Sequence, residues 1–124
     1  MFKNIMLVGF GNFFGGVVRY LVTRMLSAMV VSPYPFGTFA VNVLGCFFIG
    51  FVSALPVGSL LSPNTRLLLT TGLCGGFTTF STFMNENATL LKDGMPTTAL
   101  LYTFASLLVG FLAVIGGQQV ARIF

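Results

Sequence analysis

Hydroxyl residues and glycines are concentrated in one stretch of this sequence, residues 72–83, which reads GLCGGFTTFSTF. Its glycine pair, Gly75 and Gly76, permits a helix to unwind, which would free backbone carbonyl oxygens to bind a small hard cation such as sodium. Phe80 and Phe83 lie three residues apart and therefore share a helix face. Their ring edges carry positive partial charge and can favour an anion. The stretch thus has the chemistry needed to handle small ions.

Polar side chains in other apolar segments supply further hydrogen-bond donors and acceptors. Thr38 and Asn42 are four residues apart, as are Tyr102 and Ser106, so each pair lies on one helix face. An isolated serine or threonine in an apolar helix usually bonds its own backbone, but the density of hydroxyls after Gly76 is harder to explain in that way. Weak donors suit a small anion that must bind and still leave. The candidate donors for such an ion are Asn42, Ser81, Thr82 and Tyr102.

Groups able to carry protons or perform catalysis are scarce. The sequence has no histidine, and its only acidic residues are Glu86 and Asp93, near or beyond the end of the third apolar segment. No nucleophile and base are paired, and no cluster of metal-ligating side chains is evident. Cys46 and Cys74 both fall in apolar segments, where we interpret them as small buried residues and not as a disulfide or metal pair. A passive pore is therefore favoured over an enzyme or a proton-coupled exporter.

The composition indicates a membrane protein. Of the 124 residues, 56% are hydrophobic and 6% are charged, with a mean hydropathy of +0.98. A soluble domain carries about 25% charged residues, so this chain could not cover a soluble surface. The six basic residues are scattered singly, which is not the footprint of a nucleic-acid-binding protein. We expect a single transmembrane domain over residues 1–124, surrounded by membrane lipid.

Four segments are long and apolar enough to cross a bilayer, which takes about 20 residues. They cover approximately residues 5–31, 36–55, 65–91 and 97–120, separated by short loops rich in proline, glycine and serine. The first segment lacks a convincing cleavage site and is expected to be retained as a span. The centre of the third segment falls near Thr78, which would place Gly75 and Gly76 at the bilayer midplane. We therefore predict an all-α membrane protein whose third helix is broken there.

The positive charges give little indication of orientation. Lys3, Arg66 and Arg122 would lie on one side of the membrane, and Lys92 and Arg24 on the other. Cytoplasmic loops normally carry a clear excess of basic residues. A chain without that excess could insert both ways and pair with an inverted copy, although a weak bias could still suffice for one orientation. In an inverted pair, the midplane segments of both subunits would meet at the two-fold axis and their carbonyl oxygens would converge.

Small residues at helix-packing spacing also point to an oligomer. Gly11 and Gly15 form one GxxxG motif and Gly72 and Gly76 form another. Such motifs let helix backbones approach closely in lipid. Close packing in a chain of only four helices favours assembly with a second chain.

Three motifs together resemble the Fluc (CrcB) fluoride channels of microbes. They are GGVVRY at residues 15–20, GTFAVNVLG at residues 37–45, and the glycine pair with TTFSTF that continues to Glu86. The last is the most specific, and the resemblance extends over nearly the whole chain. Departures from the family pattern are small: Gly16 stands where alanine is common, Leu73 where phenylalanine is common, and Cys46 where serine is common.

The resemblance implies a fold, a function and a set of site residues. The fold would be an antiparallel, dual-topology homodimer with two anion pores and a structural sodium ion at its centre, held by backbone carbonyls of Gly75 and Thr78. The function would be passive export of fluoride across the bacterial cytoplasmic (inner) membrane. Arg19 and Glu86 would lie at an aqueous vestibule, with Thr38 close to the pore. The fluoride pathway would be lined by Phe80, Phe83, Asn42, Ser81, Thr82, Tyr102 and Ser106.

Two other functions remain as alternatives. Small four-helix multidrug exporters also insert in dual topology, but they depend on a glutamate in the first span, where this sequence has none. A non-transporting membrane assembly subunit would explain the glycine-rich packing. It would not explain a glycine pair followed by a track of hydroxyls.

Overall fold

The computed structural model describes residues 1–56 and 61–124, and its regular elements in these ranges are all helical. The helices in chain order are α1 (Phe2–Met29), α2 (Phe36–Ala54), α3 (Pro63–Leu67), α4 (Gly75–Phe77), α5 (Phe80–Lys92) and α6 (Pro96–Ala121). The third apolar segment consists of α3, a π-helical stretch over Leu68–Cys74, α4 and α5.

Four helical segments are long and apolar enough to cross a membrane. They are Phe2–Met29, Phe36–Ala54, Pro63–Lys92 and Pro96–Ala121. The prediction of an all-helical chain with four apolar spans is therefore confirmed. The predicted loop between the second and third spans lies partly at residues 57–60, outside the described residues.

Local sequence accounts for the ends of several helices. Ser62 caps α3, because its hydroxyl oxygen accepts the backbone N–H of Thr65 at 3.2 Å, and Pro63 occupies the first turn. Pro96 similarly opens α6. The turn between α5 and α6 contains Gly94 with φ of 76°, a left-handed conformation that glycine adopts without steric cost. This tight turn brings α5 and α6 side by side.

The extended residues of the third segment lie later than the sequence suggests. Gly75 and Gly76 are helical, as the start of α4. The backbone instead extends at Thr78 (φ −90°, ψ 158°) and Thr79 (φ −150°, ψ 121°). We call these two residues the α4–α5 junction. The glycine pair was predicted to unwind, but Gly76 is needed for helix packing, since a Cβ there would lie 2.6 Å from the carbonyl oxygen of Asn12.

Interlocking glycines join α1 to the third segment. A Cβ on Gly11 would lie 2.7 Å from the Cα of Gly72, and one on Gly15 would clash with the backbone carbonyl of Leu73. Both GxxxG motifs are thus used for contacts within the chain. They do not by themselves indicate an oligomer, contrary to the inference from their spacing. On the opposite side, Gly117 of α6 lies against the backbone of α2.

Large apolar side chains cover the outside of the molecule. Phe13 of α1 is 66% exposed and Phe111 of α6 is 67% exposed, whereas the largest fully buried side chains are Tyr102, Val41 and Thr38. A soluble monomer rarely exposes contiguous apolar surface on this scale. The fold is therefore built to be covered by lipid or by another chain. Of the three largest fully buried side chains in the described part of the chain, Tyr102 and Thr38 carry hydroxyl groups.

The glycine contacts between α1 and the third segment can be tested with Gly15→Ala. We expect it to destabilise the protein by about 1–3 kcal/mol, because the added methyl meets backbone that cannot rotate away. The thermal unfolding midpoint of purified protein in detergent measures the loss.

Gly116→Ala of α6 is the matched control, since a Cβ at Gly116 would make only ordinary contact with the Phe47 ring at 3.9 Å. Its midpoint should equal or slightly exceed that of the wild type, because alanine is the better helix former. Equal effects of the two substitutions would contradict this packing arrangement.

Candidate functional site

Asn42 of α2 holds the α4–α5 junction through two hydrogen bonds to one residue. Its Nδ2 donates to the carbonyl oxygen of Thr79 at 3.1 Å, and its Oδ1 accepts the Thr79 backbone N–H at 2.8 Å. The carboxamide thus replaces both partners that Thr79 would have had in a continuous helix. Thr79 in turn caps α5, because its Oγ1 accepts the backbone N–H of Thr82 at 3.3 Å.

The junction leaves two backbone carbonyls without their helical donors. In a continuous α-helix, the carbonyl of Gly75 would accept from the amide of Thr79, and the carbonyl of Thr78 from the amide of Thr82. Both amides are instead bound to side chains, to Asn42 and to Thr79 respectively. The carbonyls of Gly75 and Thr78 are those that the sequence predicts as sodium ligands. Their chemistry fits a hard cation, which prefers oxygen ligands.

A third backbone carbonyl, that of Gly76 just before the junction, is bound by Arg19. The guanidinium Nε of Arg19, from α1, donates to the carbonyl oxygen of Gly76 at 3.0 Å. In a continuous helix that oxygen would have accepted from Phe80. The sequence places Arg19 at a vestibule. The structure places its side chain against the end of α4, where a positive charge stabilises the helix dipole.

Glu86 of α5 accepts hydrogen bonds from two buried hydroxyls. Thr38 Oγ1 donates to its Oε2 at 2.9 Å, and the Tyr102 hydroxyl donates to its Oε1 at 2.7 Å. Thr38 is 2% exposed and Tyr102 is fully buried. Hydrogen bonds to both oxygens compensate the carboxylate for the water lost at this position. Glu86 therefore joins α2, α5 and α6 at one point.

Aromatic rings connect this carboxylate to the junction. The Phe83 ring packs edge-to-face on Tyr102 with a centroid distance of 4.9 Å, and the Phe80 and Phe83 rings are 6.2 Å apart. Phe83 is 5% exposed, whereas Phe80 is 72% exposed. The two phenylalanines thus lie in different environments, one inside the helical bundle and one on its surface.

A cavity of about 300 Å³ lies beside the α4–α5 junction and is bordered by Phe80 and Phe83. The hydroxyl of Ser106 is buried here and has no hydrogen-bond partner among the described residues. A buried polar atom without a partner is uncommon and indicates a place for a ligand or water. The predicted site residues that line the cavity are Asn42, Thr78, Phe80, Phe83 and Ser106.

A second cavity of about 230 Å³ is lined in part by Thr38 and Glu86. Ser27, Ser32 and Tyr34 contribute polar groups to its lining. Tyr34 also packs on Tyr102 with a centroid distance of 5.3 Å, and burial raises the pKa of its phenol, which stays neutral at physiological pH. Glu86 is thus positioned between a polar cavity and the aromatic side chains that lead to the junction.

Four predicted pathway residues do not line the cavity of about 300 Å³. Thr38 and Tyr102 bind Glu86 instead. Ser81 is exposed, and the Thr82 hydroxyl accepts a hydrogen bond from the Thr79 hydroxyl at 3.1 Å. In the single chain, Thr82 therefore supports the start of α5. Ser81, like Phe80, lies on the surface.

Two further polar residues, Asn87 and Thr103, lie close to the site but are not among the predicted site residues. Asn87 is 9% exposed; its Nδ2 donates to the carbonyl of Phe83 at 3.0 Å, and its Oδ1 accepts from the Thr103 hydroxyl at 3.0 Å. The first bond lies within α5, and the second fixes α5 against α6. The spacing of Asn87 from Phe83, four residues, was the available signal. The position of Thr103 could not have been related to Asn87 without the α5–α6 turn.

Within the ranges 1–56 and 61–124, no group of three or more histidine, cysteine, aspartate or glutamate side chains is placed to hold a metal. The Cys74 thiol donates to the carbonyl of Gly45 at 3.2 Å, so it takes part in helix packing. The site offers amide and hydroxyl donors, ring edges and free carbonyls. These groups bind small ions weakly and reversibly.

Comparison with known proteins assigns the chain to a family. Residues 6–118 match the family model described as CrcB-like protein, Camphor Resistance (CrcB). The chain is 51% identical over 120 residues to the fluoride-specific ion channel FluC of Chlorobium chlorochromatii, covering 96% of this chain and 92% of that protein. It is 50% identical over 122 residues to FluC of Chlorobaculum tepidum, covering 98% and 96%. FluC of Phocaeicola vulgatus is 44% identical over 115 residues, covering 93% and 95%.

These matches extend over almost the whole length of each relative, and the relatives are named as channels and not as enzymes. The prediction that the protein is not an enzyme is thereby confirmed. Together with the four apolar helices, the matches make it a multi-pass bacterial membrane protein. The resemblance inferred from the three sequence motifs is also confirmed: the chain belongs to the CrcB family.

Proposed function

We propose that this protein is a fluoride-selective channel that lets fluoride leave the cell passively across the cytoplasmic membrane. The observation that carries the proposal is the cavity of about 300 Å³ beside the α4–α5 junction, lined by Asn42, Phe80, Phe83 and the unpartnered Ser106 hydroxyl. Fluoride as the ion is supported by the names of relatives about half identical to this chain, which are fluoride-specific ion channels.

The lining of this cavity suits a small halide. The Ser106 hydroxyl has a proton to donate, and the Asn42 amide uses one Nδ2 hydrogen on Thr79 and keeps a second. Ring edges of Phe80 and Phe83 add positive partial charge without a full charge to trap the ion. Fluoride is the smallest halide and accepts the strongest hydrogen bonds, so hydroxyl and amide donors such as those of Ser106 and Asn42 suit it better than chloride.

A positive charge near the junction would attract anions to the pathway. Arg19 is only partly buried and binds the Gly76 carbonyl at the end of α4. Its charge therefore remains available to raise the local anion concentration. Glu86 has the opposite sign, but both of its oxygens are hydrogen-bonded to Thr38 and Tyr102. In this proposal Arg19 and Glu86 occupy opposite ends of the pathway.

The channel is proposed to be an antiparallel homodimer with two pores. Supporting this are the nearly balanced basic residues and the surface position of Phe80, which is 72% exposed in the single chain. An inverted partner would cover Phe80 and Ser81 and complete the wall of each pore. The junction would then be the midplane break of the third helix, meeting its counterpart at the two-fold axis.

A structural sodium ion is proposed at that axis. The carbonyl oxygens of Gly75 and Thr78 have lost their helical donors, and those of the partner would supply a second pair. The ion would supply positive charge that holds converging carbonyls together. The contribution of this chain is the Asn42 carboxamide and the Thr79 hydroxyl, which keep both carbonyls free.

Fluoride conduction is tested by reconstituting the purified protein in liposomes loaded with potassium fluoride. We expect rapid fluoride efflux on addition of a potassium ionophore, and little chloride efflux from matched chloride-loaded vesicles, because neutral hydroxyl and amide donors replace lost hydration better for the smaller anion. An ion-selective electrode measures both. Fluoride efflux equal to that from protein-free liposomes loaded with potassium fluoride would refute the proposal.

The role of the two phenylalanines is tested with Phe80→Ile and Phe83→Ile. Each should lower fluoride flux by up to about tenfold, since an aromatic edge contact contributes up to about 1.5 kcal/mol that an aliphatic side chain cannot. Flux is measured in the same liposomes, with size-exclusion chromatography to check assembly.

Phe111→Ile serves as the control for these variants, because Phe111 is 67% exposed on α6 and does not line the cavity. Its flux should match the wild type. Unchanged flux in both Phe80→Ile and Phe83→Ile would remove these side chains from the pathway.

Dual topology is tested with a single cysteine added at either terminus, on a Cys46→Ser, Cys74→Ser background. A membrane-impermeant maleimide applied to intact spheroplasts should label about half of the molecules, and permeabilisation should expose the remainder, since the basic residues give no strong orientation. Labelling from one side alone would exclude the inverted dimer while leaving fluoride conduction untouched.

A further inference from the structure

Asn12 is a polar residue well inside α1 that makes no contribution to the site described above. It is exposed in the single chain, and no hydrogen bond of its side chain is found among the described residues. A carboxamide left without partners at membrane depth is costly. Its partners must therefore come from outside the chain, from a bound ion, water or a second subunit.

The position of Asn12 relates it to the free carbonyls. A Cβ placed on Gly75 would lie 3.5 Å from the Asn12 Oδ1, so the carboxamide lies directly over this glycine. The backbone of Asn12 is fixed by close contact with Gly76. Gly75 is itself exposed on the same surface. Because Gly75 has no side chain, no Cβ lies between the Asn12 oxygen and the Gly75 backbone.

We propose that the Asn12 carboxamide oxygen is a side-chain ligand of the central sodium ion, beside the carbonyls of Gly75 and Thr78. This inference rests on the proposed sodium site and inverted dimer. Carboxamide oxygens are good ligands for hard cations. The Asn12 side chain is free to turn its oxygen to an ion, since no hydrogen bond from residues 1–56 or 61–124 holds it. Two subunits would thus contribute two amide oxygens in addition to the carbonyls.

Open space on both sides of Asn12 supports access from a second chain. Gly9 and Gly16 lie three and four residues from Asn12, and a Cβ on either would have no neighbour within 4 Å. In contrast, Gly11 and Gly15 are fully used by contacts with the third segment. The surface around Asn12 can therefore be approached closely by the partner.

Two substitutions of nearly equal size separate the oxygen from the shape of the side chain. Asn12→Leu removes the oxygen, and Asn12→Asp keeps it and adds negative charge. The thermal unfolding midpoint of the purified dimer is measured against sodium concentration, with choline replacing sodium at constant ionic strength. Binding to the folded state raises the midpoint, so the titration gives a half-saturating sodium concentration.

We expect Asn12→Leu to raise the half-saturating sodium concentration by about tenfold, as for loss of a supporting group at a metal site, and Asn12→Asp to lower it. Asn85→Leu is the control, since Asn85 is an exposed asparagine of α5 outside the site. It should leave the sodium titration unchanged.

The outcomes distinguish this inference from the proposals beneath it. A wild-type midpoint that does not respond to sodium would refute the sodium site and the role of Asn12 together, whereas fluoride flux would be judged separately. A wild-type response that Asn12→Leu leaves unchanged would refute the role of Asn12 alone. If Asn12→Leu lowers every midpoint by the same amount without moving the sodium titration, Asn12 contacts the partner chain and is not a ligand.

Discussion

The double hydrogen bond between Asn42 and Thr79 is the interaction on which the candidate site depends. By binding both the N–H and the C=O of one residue, the carboxamide stabilises extended backbone inside a segment that is otherwise helical. The direction of α5, the exposure of Phe80 and the freedom of the Gly75 and Thr78 carbonyls all follow from it. Without a partner for Thr79, extended backbone in an apolar environment would be prohibitively costly.

Rigid packing on either side keeps this arrangement in place. The glycines of α1 meet the π-helical stretch and α4 backbone to backbone, and α6 lies equally close to α2. Beyond the junction, Glu86 and Asn87 attach α5 to α6 through side-chain hydrogen bonds. The first half of the third segment is therefore held by shape and the second half by polar contacts.

The sequence was sufficient to predict the four spans, because hydropathy reflects the bilayer directly. It also singled out Asn42, Tyr102 and Ser106, since polar residues are rare enough in apolar helices to be conspicuous; that they share one ion pathway stays a prediction. It could not position the extended residues at Thr78 and Thr79, which are determined by a side chain from another helix. Nor could it show that the glycine motifs pack within the chain, because spacing alone does not identify the partner helix.

The exposure of Phe80 has a physiological consequence. Phe80 forms one wall of the cavity and lies at the molecular surface, so under the proposed assembly a solitary subunit would open sideways onto lipid and its pathway would be incomplete. Newly inserted copies could then accumulate in either orientation without dissipating ion gradients. Under the proposed assembly, permeability begins only when two opposite copies meet, and the membrane remains sealed throughout biosynthesis.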